Sequence, residues 1–80
     1  MNIQIIKKIV ETYSLAELKQ AEADMLEGES LKIEIEGQDE GEQLTHILAA
    51  AFCKSEMEKD GININQAVRL YSQRVRDSIN

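Results

Sequence analysis

Eighty residues bound the chain to one domain, 1–80, and a core of that size must be compact to hold. The lone cysteine, Cys53, excludes an internal disulfide and a four-cysteine zinc framework, and it suits a reducing compartment. A net charge of −6 argues against nucleic acid as a partner, because duplex affinity comes mainly from Lys and Arg neutralising phosphates.

The charge is unevenly placed. Nine acidic residues between Glu22 and Glu42 face the single Lys32, whereas beyond Gly61 the arginines Arg69, Arg74 and Arg76 face only Asp77. The two regions are expected to attract, within one chain or between two. The first ten residues carry Lys7 and Lys8 inside an apolar pattern without a cleavage signal. No run approaches the ~18 apolar residues of a membrane span, so the expected location is the cytoplasm, with no membrane partner.

Ile5, Ile6, Ile9, Val10 and Tyr13 recur at helical spacing and predict a first helix over Ile3–Thr12. Ser14 and Glu17 form a capping box, so a second helix starts at Leu15, and Gly28 stops it. Leu15, Leu18, Met25 and Leu26 are its apolar positions.

The period then changes. Leu31, Ile33 and Ile35 alternate with Lys32, Glu34 and Glu36, which predicts a short half-buried strand near 31–36, ended by Gly37. A single strand leaves its backbone unpaired. The same strand of a second molecule is the preferred partner; an unpaired connector and pairing with Met1–Ile5 are the alternatives.

Asp39 and Glu42 are spaced to cap a third helix, from Glu40 to about Lys59. Leu44, Ile47, Leu48, Ala51 and Phe52 define its main face. The opposite side carries His46, Ala49, Ala50, Cys53 and Met57, so the middle is apolar all round and reads as buried on both sides. Should the other helices fail to cover both, the small-residue face is the expected dimer surface. After Gly61, Asn63 and Gln66 cap a fourth helix with the stripe Ile64, Val68, Tyr71, Val75 and Ile79. The fold expected is mainly α: about four helices in a compact bundle, with one short extended segment.

Asp39, Glu42 and His46 share one side of a helix and are the candidates for a metal or acid–base site. The plainer role of the two carboxylates is helix-start electrostatics, and no second histidine exists to complete a site. His46 and Cys53 are roughly 10 Å apart along the axis, too far for direct activation of the thiol. Cys53 therefore reads first as a small apolar residue and only second as a redox thiol. Arg69 and Arg76, two turns apart, are the candidates for anion binding. No cofactor is expected.

The Glu36–His46 stretch, the following Ala49-Ala50, the Tyr13-Ser14-Leu15 turn and the closing Arg74-Val75-Arg76-Asp77-Ser78-Ile79 together resemble a family of small uncharacterised bacterial proteins, almost end to end. That resemblance implies a bacterial cytoplasmic protein and no catalytic residues. The function expected is a non-enzymatic interaction or regulatory module, homodimeric. Its candidate contact residues are Leu31, Ile33, Ile35, Ala49, Ala50, Cys53 and Met57.

Overall fold

A computed structural model describes residues 2–79; Met1 lies outside the described residues, as does the side chain of Ile79 in the expected stripe of the fourth helix. Four helices follow in chain order: α1 (Ile3–Thr12), α2 (Leu15–Leu26), α3 (Glu40–Asp60) and α4 (Ile64–Ile79).

Each helix starts where a side chain satisfies its orphan N–H groups. Asn2 Oδ1 accepts from the N–H of Gln4 at 2.9 Å and of Ile5 at 3.3 Å. The Ser14–Glu17 box is reciprocal, and so is Asn63–Gln66 at the start of α4. At α3, Asp39 accepts from Glu42 N–H at 2.8 Å, but the Glu42 carboxylate reaches past the cap to Gln38 N–H. Gly61 closes α3 in the left-handed conformation (φ +68°) that other residues adopt at a cost.

α1, α2 and α4 each pack on α3, which is the central element. They gather on its small-residue face: His46, Ala49, Ala50 and Cys53 are all fully buried, together with Ile47. Small side chains let neighbouring backbones approach, so the face with the least side-chain volume becomes the crowded one. Ile6, Ile9 and Val10 of α1, Leu18 and Ala21 of α2, and Ala67 and Val68 of α4 complete the buried cluster.

Two expectations are corrected here. The small-residue face is covered by the chain's own helices, so Ala49, Ala50 and Cys53 are core residues and not an exposed contact surface. Met57 is half-buried and packs against the same cluster. The expected main face is covered only in part: Ile47 is fully buried, Leu44, Ala51 and Phe52 are half-buried, and Leu48 is 38% exposed.

No strand forms over 31–36 among the described residues. The segment is an irregular connector that lays Ile35 into the core and rests Leu31 and Ile33 against it. Its alternating pattern reflects one side touching the bundle, without a neighbouring strand. Among the described residues, no helix is long and apolar enough to cross a membrane.

The packing predicts unequal costs for substitutions on the two sides of α3. Ala50→Leu overpacks a filled site and is expected to cost about 1–3 kcal/mol in denaturant unfolding. Leu48→Ala, on the outer side, is expected to cost less than that.

Candidate functional site

The polar groups of the middle of the chain converge on the connector. Tyr13, at the end of α1, brackets Glu34: its hydroxyl donates to the Glu34 carbonyl at 3.0 Å and accepts the Glu34 N–H at 3.1 Å. Gln43 Nε2 donates to the Ile35 carbonyl at 2.9 Å. His46 Nδ1 lies 2.8 Å from the Glu36 carbonyl. Three side chains thus supply the hydrogen bonds that a partner strand would otherwise give. The connector comes so close to α3 that a Cβ on Gly37 would sit 2.9 Å from the Gln43 backbone nitrogen.

His46 has a second bond, to Asn2 N–H, through Nε2 at 3.2 Å. A backbone N–H only donates and a carbonyl only accepts, so the partners set the tautomer. Nε2 carries the lone pair, and Nδ1 carries the proton it donates to Glu36. Both ring nitrogens are spent, and the ring is fully buried.

The structure gives the three side chains of the expected trio separate tasks. Asp39 holds the helix cap, Glu42 turns to Gln38, and His46 has no free nitrogen. Among the described residues, no three His, Cys, Asp or Glu side chains are grouped to hold a metal ion.

Asp24 was not singled out by its sequence position, yet it is buried. Its carboxylate accepts from Gln20 Nε2 at 2.9 Å and pairs with Lys32 Nζ at 3.3 Å. The Gln20 hydrogen bond, opposed by burial and helped by Lys32, holds the Asp24 carboxyl below its ordinary value. The stabilisation this provides is present at neutral pH and is lost as the carboxylate is protonated on acidification. The i, i+4 spacing of Gln20 and Asp24 was the available signal.

Cys53 is buried, and that burial pushes its thiol up to about 11. A thiol so placed is a poor nucleophile. Tyr71 is also pushed up, by burial first.

A cleft of about 360 Å3 separates α1 from the connector, with Ile5, Ile9 and Ile35 among its walls. Its polar rim is engaged: Lys8 pairs with Glu36 at 3.0 Å, and Tyr13 holds Glu34. Lys54, from α3, donates to the Val10 carbonyl at 2.8 Å and caps the negative end of α1.

The outer side of α3 and α4 is different in kind. Phe52 meets Tyr71 with ring centroids 5.5 Å apart, and the Arg74 guanidinium lies 5.4 Å from the Phe52 centroid. Leu70 is 46% exposed beside them. Arg69 and Arg76 are exposed on α4, and neither belongs to an ion pair among the described residues.

The chain belongs to DUF6952, a family of unknown function, whose model matches residues 1–80. No curated protein and no solved structure matches it.

The state of Cys53 generates two expectations. Alkylation of the folded protein at pH 8 proceeds only as fast as the chain opens, and denaturant accelerates it strongly; rapid labelling of the folded state would contradict burial. Between pH 9 and about 11 the unfolded chain loses the thiol proton while the folded one keeps it. Stability measured by denaturant titration therefore falls through that range, and Cys53→Ala flattens the fall.

Proposed function

We propose that the chain is a non-enzymatic protein-interaction or regulatory module whose working form is a homodimer. The observation that carries this reading is the apolar outer side of α3 and α4, where Leu48 and Leu70 are exposed beside half-buried Phe52. Exposed leucines are ordinary singly, but Leu48 stands one turn before Phe52 on α3. Phe52 and Leu70 line one open groove with Glu56, Arg74 and Asp77 around it, the composition of a contact surface.

The groups with chemical potential support the same reading. His46, Asp24 and Cys53 are buried, the first two tied by hydrogen bonds and the third held as a thiol. A catalytic site needs at least one such group turned towards a cavity with a partner left free. The single buried thiol also suits a reducing compartment, in keeping with a cytoplasmic location.

Sedimentation velocity across about 1–100 µM tests the reading, with twice the monomer mass expected at the upper end, as for a Kd in the micromolar range. A folded chain of monomer mass throughout would contradict the homodimer.

A further inference from the structure

The charge asymmetry of the chain has no counterpart inside the fold. The ion pairs among the described residues, Lys8–Glu36 and Lys32–Asp24, leave out the α4 arginines. Next to Arg69 lies an apolar groove of about 380 Å3, lined by Ile62, Gln66, Arg69, Leu70 and Gln73.

A complementary feature stands elsewhere on the molecule. α2 ends on Leu26, whose side chain is 68% exposed, the highest of the large apolar side chains described. Glu22 precedes it by one helical turn, and Glu27 and Glu29 follow it. One feature is a protruding leucine among carboxylates, the other an apolar groove rimmed by arginine.

They are out of each other's reach within one chain. The end of α2 abuts the first turn of α3, where Met25 and Glu29 share a pocket with Glu40 and Gln43. The groove begins at Ile62, directly after the Gly61 cap at the opposite end of α3. The 21 residues of that helix span about 30 Å between the two ends.

We infer that Leu26 docks into the α4 groove of a second copy of this chain, with Arg69 facing the carboxylates that surround the leucine. The inference rests on the homodimer reading, extends its α4 surface along Leu70 into this groove, and names what docks there. A two-fold arrangement seats each Leu26 in the other copy's groove and closes the assembly at two chains. Apolar burial supplies the affinity, and the charges set the pairing and the orientation.

Light scattering of the full chain at up to about 100 µM, with circular dichroism to verify folding, tests it. Leu26 is exposed, so Leu26→Asp is expected to keep the helical signal and thermal midpoint while weakening association at least ~10-fold, a loss of about 1.4 kcal/mol. Arg69→Glu is expected to weaken association likewise, and adding Glu27→Arg and Glu29→Arg to that chain to restore it. Restoration by charge exchange separates a direct contact from an effect on folding. A dimeric wild type whose Leu26→Asp and Arg69→Glu variants keep wild-type affinity would overturn this surface and leave the homodimer reading standing. A monomeric wild type would overturn both.

Discussion

The tie that the rest of the structure depends on is the His46 side chain. One buried imidazole joins three parts of the chain: the start of α1 through Asn2 N–H, the connector through the Glu36 carbonyl, and α3, which carries it. Each such bond contributes about 0.5–1.5 kcal/mol net, and a buried nitrogen left without its partner costs more, about 1–3 kcal/mol. Replacing the ring with an apolar one would leave the Asn2 N–H and the Glu36 carbonyl short of a bond each. The same arrangement removes His46 from chemistry, since a ligand or proton acceptor would have to displace a structural partner.

This pattern recurs around the connector. Tyr13 and Gln43 also spend their polar ends on its backbone, and Gly37 permits the close approach to α3. The connector is held in place by side chains from the helices on either side of it. With the connector and α1 fastened, α3 buries its narrow alanine face against three helices, and its leucine and phenylalanine side is only partly covered. Burial and exposure on α3 thus follow from side-chain size: the helices crowd where the backbones come closest. What remains for function is the outer surface of α3 and α4.

The helix boundaries were legible in the sequence because capping chemistry is local. Ser14–Glu17, Asp39–Glu42 and Asn63–Gln66 announce three helix starts at short range, and Gly61 announces a stop. Which side of α3 would be buried was not legible. A hydrophobicity pattern ranks leucine and phenylalanine above alanine, whereas packing rewards the side that admits three backbones. The strand expected at 31–36 failed for a related reason: period-2 alternation reports a segment with one side against a core, and it says nothing about what bonds the backbone. Those partners, Tyr13, Gln43 and His46, come from positions 8 to 21 residues away, beyond the reach of local pattern. The candidate metal trio likewise shared a helix side in the sequence, but the Asn2 and Glu36 backbones claim its only imidazole.

The tautomer of His46 tests this account most directly. A long-range proton–nitrogen correlation spectrum of the folded protein at neutral pH distinguishes the two ring nitrogens. The account predicts a neutral ring with its proton on Nδ1, protected from solvent exchange, and an unprotonated Nε2. A ring protonated on Nε2, or one exchanging freely with water, would contradict it.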